Sequence, residues 1–142
     1  MVELDHSFES EKPTDETWQA ILDLDRVIPA VEGGTVIERI SPDSAKAQIL
    51  VSMGAMSMKF VGTVTVAEQD PAAHRAVLRV KSREAQGSGY ANADVTFTLQ
   101  NGGGSVHTAA QISGKAASMG ESVVQTVLDA LIADFTGKLG TL

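Results

Sequence analysis

The side chains best suited to acid–base or metal chemistry in this sequence are three histidines, His6, His74 and His107. Their spacing matches no metal-binding motif, and the sequence pattern indicates no carboxylate partners for them. His6 falls on the apolar side of an alternating segment, where a histidine is more often a hydrogen-bonded core residue than a base or ligand. His74 follows a predicted turn, and His107 falls on a polar face. We therefore predict no metal site, no cofactor and no catalytic residue.

Other reactive groups are equally sparse. The chain has no cysteine, which excludes disulfides and thiolate chemistry. Glycine-rich stretches occur at residues 86–89 and 101–104, but neither precedes a helix that carries a lysine. They therefore predict hairpin turns rather than a phosphate-binding loop. The sequence contains no nucleophile elbow and no paired-carboxylate motif.

Composition limits the class of partner and the compartment. The 142 residues carry a net charge of −7, which opposes binding to nucleic acid phosphates and to anionic membrane surfaces. No apolar run approaches the roughly 18 residues that a membrane span needs. The N-terminal segment MVELDHSF lacks the basic start and apolar stretch of a signal peptide, so we expect a cytoplasmic protein. The length suits one domain with one core.

The hydrophobic periodicity predicts an α+β fold. Residues 2–9 alternate as a half-buried strand, and Pro13 marks the start of the first of two short helices. Residues 35–113 predict six strands joined by hairpin turns, with a turn or bulge at Gly54. Residues 117–138 change to three-and-four spacing, which predicts a helix about 30 Å long. Ser118 and Glu121 suggest a capping box at its start.

The sheet predicted from these strands has one apolar face that must be covered. Only the C-terminal helix is long enough to cover it. We therefore predict a curved antiparallel sheet of about seven strands that wraps around the C-terminal helix. Two short helices lie between strands 1 and 2 in this arrangement.

The segment MGAMSMKFVGTVTV, residues 53–66, contains three of the five methionines. Methionine is flexible, and it is over-used where a surface must fit ligands of variable shape. Met53, Met56, Met58 and Phe60 could simply fill a core. However, the inward residues of neighbouring strands are largely alanine and aromatics make up only 4% of the chain. Because interiors pack to about 0.74 density, rows of alanine need filling from elsewhere. We favour an apolar cavity of about 300–1,000 Å³.

Two longer segments and the first helix resemble a known family. They are FVGTVTVAEQDPAAHRAVLRV (residues 60–80), GSGYANADVTFTL (residues 87–99), and Pro13 followed by Trp18. These features resemble the carbon monoxide dehydrogenase CoxG family of the START-like (SRPBCC) superfamily. The predicted order of elements is similar to the helix-grip fold of that superfamily. The resemblance implies one START-like domain over residues 1–142.

The resemblance implies a hydrophobic cavity between sheet and helix, without catalytic machinery. CoxG proteins are accessories to molybdenum-containing CO dehydrogenases and related hydroxylases, and the resemblance implies a role in coupling such an enzyme to the membrane or its quinone pool. We therefore expect a non-catalytic accessory protein that binds a quinone or lipid tail. The predicted ligand contacts are Met53, Met56, Met58, Phe60, Leu78, Phe97, Val124, Leu128 and Leu131.

Some members of the family carry a C-terminal extension that contacts the membrane. This sequence ends at Leu142, and we expect no such anchor here.

Two alternative functions stay open. The first is an enzyme of the cyclase or hydrolase type, since related folds include polyketide cyclases. Such an enzyme would need two or more titratable groups in the cavity, and the sequence offers His6 at best. An assembly factor would instead have a filled core and an outer docking patch.

A basic stripe on the outer sheet face is either solvated or docks an acidic partner. It consists of Arg75, Arg79, Lys81 and Arg83.

Overall fold

The computed structural model describes residues 1–53 and 56–142, and in them it places seven strands and three α-helices. The turn or bulge predicted at Gly54 lies outside these residues. The strands are β1 (Val2–Glu9), β2 (Gly34–Ser41), β3 (Ser44–Met53), β4 (Met56–Asp70), β5 (Arg75–Glu84), β6 (Tyr90–Gln100) and β7 (Gly103–Ser113). The helices are α1 (Thr14–Leu22), α2 (Leu24–Ala30) and α3 (Glu121–Leu139).

The strands form one sheet in the order β1-β7-β6-β5-β4-β3-β2, and every neighbouring pair is antiparallel. Successive strands from β2 to β7 pair with one another, as hairpin connections require. β1 instead pairs with β7, so the chain must cross from one edge of the sheet to the other before β2. The helices α1 and α2 make this crossing.

The two short helices follow local sequence signals. Pro13 precedes α1, and Asp15 and Glu16 lie in its first turn, where the helix dipole favours carboxylates. Asp23 caps α2, because its side chain accepts a hydrogen bond from the backbone N–H of Asp25 at 3.1 Å. The faces that carry Trp18 and the apolar residues of α2 are buried against the sheet.

The pairing of β4 with β5 is irregular at one point and very close at another. The register between β4 and β5 shifts between Val66 and Glu68, which is the signature of a β-bulge. At Gly62 the backbones approach so closely that a Cβ atom would lie 1.9 Å from the carbonyl oxygen of Lys81. Only glycine fits at this point. A β-bulge bends the strand that carries it, so this bulge contributes to the curvature of the sheet.

The helix α3 packs against β1 and α2. Its body agrees with the predicted helix, but the predicted start and capping box are wrong. Residues 117–119 form a 3₁₀ turn, and Gly120 precedes α3 with a φ of 101°. Ser118 Oγ donates to the Lys115 carbonyl oxygen at 2.6 Å instead of capping α3. The left-handed conformation that glycine permits redirects the chain between the two helical segments.

These features confirm the predicted α+β, helix-grip architecture. A curved antiparallel sheet of seven strands holds a long C-terminal helix within the described residues, and two short helices lie between β1 and β2. The concave face of the sheet and the inner face of α3 therefore enclose the interior of the protein.

Candidate functional site

The buried apolar side chains form two separate clusters rather than one core. The larger cluster includes Trp18, Phe97 and Phe135, and it joins α1, α2 and the C-terminal part of α3 to the sheet. The smaller cluster includes Phe60 and Val124. A cavity of about 210 Å³ lies between the sheet and the helices and is lined by residues of both clusters. The interior is therefore not filled continuously from one end to the other.

Small side chains on the sheet create this space. The inner faces of β3, β6 and β7 contribute four alanines to the lining, namely Ala47, Ala91, Ala93 and Ala110. Larger apolar residues of α2 and α3 close the other side. They include Val27, Ile28, Val124, Val127, Leu128, Leu131, Ile132 and Phe135. Because the alanines do not reach across to the helices, the space between them stays open.

The volume of the cavity limits what it can hold in this conformation. At about 210 Å³ it is smaller than the range of about 300–1,000 Å³ predicted from the sequence. An engineered apolar cavity of about 150 Å³ in another protein stays dry and binds benzene. The space observed here therefore accepts a small hydrophobic molecule or one end of a longer one. A longer ligand must extend through the opening or displace part of α3.

Partly exposed residues of the lining indicate where the cavity opens. The lining residues Val124 and Ile132 of α3 are buried, whereas Leu128 and Leu131 are partly exposed. Across the gap, Ile49 of β3 and its neighbour on the same face, Val51, are also partly exposed lining residues. Since α3 packs against β1 at the other edge of the sheet, we infer that the cavity opens between α3 and β3.

Few polar side chains face the cavity. Ser82 Oγ donates to the carbonyl oxygen of Ala91 at 2.6 Å, and Asn92 Oδ1 accepts from the backbone N–H of Ser82 at 3.3 Å. Thr108 is only 2% exposed, and its Oγ1 has no hydrogen-bond partner among the described residues. No aspartate, glutamate, lysine, arginine or histidine is found in the lining across residues 1–53 and 56–142. The wall therefore offers no acid or base within that part of the chain.

The described lining includes six of the nine ligand contacts predicted from the sequence, and the structure brings them together around one space. These six are Phe60, Leu78, Phe97, Val124, Leu128 and Leu131. Whether they touch a ligand stays a prediction.

The other three predicted contacts are methionines, and two of them, Met56 and Met58, lie outside the lining. Met58 is 4% exposed but packs within the smaller cluster, outside the lining. Met56 is 36% exposed at the start of β4 and also lies outside the lining. The side chain of Met53 lies outside what the structure describes. Strand alternation gives the face on which a side chain lies, but it does not tell how far along the strand the cavity extends.

Sequence reasoning missed two contributions to the wall. The residues Val27 and Ile28 of α2 line the cavity, although the sequence only suggested a short helical turn there. Thr108 was missed as a polar group facing the cavity. It interrupts the apolar inward series Val106, Ala110 and Ile112 of β7, and this interruption is the signal that could have identified it.

All three histidines have carboxylate partners, contrary to the sequence pattern. His6 Nε2 lies 2.9 Å from Asp129 Oδ1 and ties β1 to α3, but His6 is outside the cavity lining. His107 Nδ1 lies 2.7 Å from Asp5 Oδ1, and this hydrogen bond raises the pKa of His107. His74 Nε2 lies 3.3 Å from an exposed aspartate on α1. These pairs join residues that are far apart in sequence, so local patterns do not reveal them.

The described chain contains no cluster of three or more histidine, cysteine, aspartate or glutamate residues suited to holding a metal ion. None of its helices in residues 1–53 and 56–142 has the length and apolar character needed to cross a membrane.

The basic stripe on the outer sheet face is partly neutralised. Arg79 Nε donates to Asp94 Oδ1 of β6 at 2.9 Å, and this hydrogen bond raises the pKa of Arg79. Both side chains are about half exposed. Docking of an acidic partner on this stripe stays a prediction.

Several solved structures share the fold at low sequence identity. A conserved protein from Geobacillus kaustophilus is 20% identical, with a TM-score of 0.76 over 97% of this chain and 91% of that one. The human StarD13 (DLC2) lipid transfer and protein localization domain is 13% identical, with a TM-score of 0.67 over 99% and 77%. The Zhui aromatase/cyclase from Streptomyces sp. R1128 is 13% identical, with a TM-score of 0.59 over 98% and 92%. At these identities the likeness shows the START-like fold alone.

Sequence comparison gives the family. No curated protein matches the chain in sequence. The family described as the CoxG subunit of carbon monoxide dehydrogenase matches residues 7–141, which is nearly the whole chain. The resemblance noted in the sequence is thereby confirmed, and the chain belongs to the carbon monoxide dehydrogenase CoxG family.

Proposed function

We propose that residues 1–142 form one START-like domain that binds a hydrophobic ligand without catalysing a reaction. The ligand is a quinone or lipid whose apolar part occupies the space between the sheet and α3. The observation that carries this proposal is the cavity of about 210 Å³, whose described lining is almost entirely apolar and includes no titratable side chain. Such a wall favours hydrophobic molecules and offers no strong attraction to charged ones.

The driving force for binding is burial of apolar surface. Each ~200 Å² of apolar ligand surface removed from water contributes about 5 kcal/mol, at about 25 cal/mol per Å². Loss of translational and rotational freedom opposes this gain. A ligand that fills the cavity also supplies van der Waals contacts to wall atoms that lack partners in the empty space. A molecule with a tail longer than the cavity would gain further burial along Ile49 and Leu131 at the opening.

Release of a long ligand requires part of the wall to move. Gly33 and Gly34 connect α2 to β2, but the Gly33 carbonyl oxygen accepts a hydrogen bond from the Leu50 backbone N–H at 3.1 Å. This bond ties the connecting loop to β3. The side of α3 that carries Leu128 and Leu131 is only partly buried. We therefore propose that α3, rather than this loop, moves to admit the ligand.

Family membership supports the choice of partner. We propose that the protein is a cytoplasmic accessory to a molybdenum-containing CO dehydrogenase-type enzyme, and that it carries a quinone or lipid for that enzyme. The StarD13 domain, which shares the fold, is described as a lipid transfer domain, in keeping with a carrier role for this architecture. The partner enzyme would contact the outer surface of the protein, since the ligand occupies the cavity.

The two alternatives are less well supported. The Zhui aromatase/cyclase shares the fold, but a cyclase needs acids or bases in its pocket. The described cavity wall has none, and His6 bonds to Asp129 outside it. An assembly factor with a filled core does not explain why two apolar clusters are separated by space.

The proposal is tested by ligand capture with a matched pair of variants. Ala93 lines the cavity, whereas Ala109 lies on the outer face of the neighbouring strand β7. Wild-type protein, Ala93→Leu and Ala109→Leu are purified under gentle conditions and analysed by native mass spectrometry. Each is then titrated with a short-chain ubiquinone and with oleate.

Leucine at position 93 should occupy part of the space and weaken binding at least tenfold, while Ala109→Leu should bind like wild type. A wild-type protein that carries no apolar ligand and binds neither compound on titration would refute the proposal. Equal affinity of the two leucine variants would place the ligand somewhere other than the cavity.

A further inference from the structure

Thr108 is a polar residue in the apolar wall of the cavity. It lies in the middle of β7, where its inward neighbours on the strand are Val106 and Ala110. Thr108 is 98% buried, and its Oγ1 has no hydrogen-bond partner in residues 1–53 and 56–142. A buried hydroxyl without a partner destabilises a folded protein. Valine has the same shape and would avoid this penalty, so we expect the threonine hydroxyl to have a function.

A second unpartnered polar atom lies beside it. Across the described residues, Thr108 Oγ1 and His6 Nδ1 are the two buried side-chain polar atoms that lack a hydrogen-bond partner. In the register of β1 and β7, Leu4 lies opposite Thr108 and His6 lies opposite Val106. His6 and Thr108 are therefore diagonal neighbours on one face of the sheet, at a Cα separation of about 7–8 Å. Both unsatisfied polar atoms therefore lie on the paired strands β1 and β7, and Thr108 is the one of the two residues that lines the cavity.

The other polar residues of the wall are already engaged or stand near the opening. Ser82 and Asn92 have hydrogen bonds within the sheet. Gln48 lies on β3 beside the opening and is partly exposed. Among the polar side chains of the described wall, Thr108 is therefore the one that is fully buried and whose polar atom has no hydrogen-bond partner.

We infer that Thr108 Oγ1 donates a hydrogen bond to an oxygen atom of the bound ligand. The inference rests on the proposed function, since it requires a ligand in the cavity. The ligand is then an otherwise apolar molecule that carries a hydroxyl or carbonyl oxygen at its inner end. That end lies against β7, and the apolar remainder extends across the sheet toward the opening between α3 and β3. Thr108 thereby sets both the orientation of the ligand and the preference for an oxygen function.

The test uses three ligands of nearly the same shape. 2-Naphthol carries a hydroxyl group, 2-naphthaldehyde carries a carbonyl group, and 2-methylnaphthalene carries neither. Two fused rings are somewhat larger than the benzene that fits an engineered cavity of about 150 Å³, which suits the volume of about 210 Å³ here. Dissociation constants are measured by isothermal titration calorimetry for wild type, Thr108→Val, Thr108→Ser and the outer-face control Thr98→Val.

The Thr108→Val variant should bind 2-naphthol, 2-naphthaldehyde or both about three- to tenfold more weakly than wild type, which is the range of one net hydrogen bond. Its affinity for 2-methylnaphthalene should be unchanged or higher. Thr108→Ser keeps the hydroxyl and should retain the preference for oxygen, and Thr98→Val should behave as wild type. A loss for one oxygen ligand only would identify the accepting group as hydroxyl or carbonyl.

Two results would overturn the inference alone. The first is binding of all three ligands with affinities that Thr108→Val leaves unchanged. The second is a lower unfolding midpoint of Thr108→Val without ligand, because that would mean that the hydroxyl already has a partner such as a buried water. Failure of wild-type protein to bind these three ligands, the short-chain ubiquinone and oleate would instead overturn the proposed function, and the inference with it.

Discussion

Replacing Ala93 with leucine should stabilise the ligand-free protein, although most substitutions in a protein interior destabilise it. Leucine adds three carbon atoms at a position that lines the cavity. At ~0.8 kcal/mol per buried methylene, filling the space contributes at most about 2.4 kcal/mol. The lost rotamer freedom of leucine opposes this by roughly 0.5–1 kcal/mol. The free energy of unfolding should therefore rise by about 1.5 kcal/mol, which corresponds to a Tm increase of roughly 3–6 °C.

The assay is urea unfolding of protein depleted of apolar ligands on a hydrophobic resin. The chain has one tryptophan, Trp18, and it is buried in the larger cluster, so its fluorescence reports unfolding directly. Ala109→Leu corrects for the higher strand propensity of leucine, because it makes the same change on the outer face of β7. Adding leucine to a filled core would instead lower the free energy of unfolding by about 1–3 kcal/mol. A loss of that size in Ala93→Leu, with Ala109→Leu unchanged, would refute the reasoning.

Two further predictions concern the sheet. The hydrogen bond to Asp5 raises the pKa of His107, so the protonated form stabilises the folded state. This contribution should be fully present below about pH 6.5, the ordinary histidine pKa, and should be lost as the pH rises through the folded-state pKa. NMR titration should show a raised His107 pKa that falls toward the ordinary value in Asp5→Asn, although Glu3 still raises it. An unchanged pKa in Asp5→Asn would contradict the ion pair. The second prediction concerns Gly62→Ala, whose Cβ would lie 1.9 Å from the Lys81 carbonyl oxygen. This substitution should lower the free energy of unfolding by about 1–3 kcal/mol, measured by calorimetry. No loss would show that the two strands can separate there.

Most of the fold could be predicted because its signals are local. Alternating apolar residues mark the strands, the glycine-rich stretches at residues 86–89 and 101–104 mark hairpins, and Pro13 marks the start of the first helix. The start of α3 could not be predicted in the same way. Ser118 and Glu121 have the spacing of a capping box, but the left-handed conformation of Gly120 separates them into two helical segments. A helix cap depends on backbone conformation that residue type alone does not fix.

The candidate site was predicted less completely because it depends on contacts distant in sequence. Alternation placed Phe60 and Phe97 on the concave face, but it does not give the extent of the cavity along a strand. Met56 and Met58 lie outside the described wall, although the alternation predicted that they face inward. Likewise, the pairing of His107 with Asp5 follows from the register of β1 and β7, which join the two ends of the chain. The residues of one strand alone do not determine its register with a strand that is distant in sequence.

The most direct test of the account is a crystal structure of the protein soaked with 6-bromo-2-naphthol. The anomalous signal of bromine marks one end of the molecule, and difference density marks its hydroxyl group. We predict one bromine peak inside the cavity, on the side of Leu131 and Ile49, with the naphthol oxygen within hydrogen-bond distance of Thr108 Oγ1. A cavity occupied by the protein's own side chains, with bromine only on the outer surface, would contradict the claim that the sheet and α3 enclose a binding site for hydrophobic molecules.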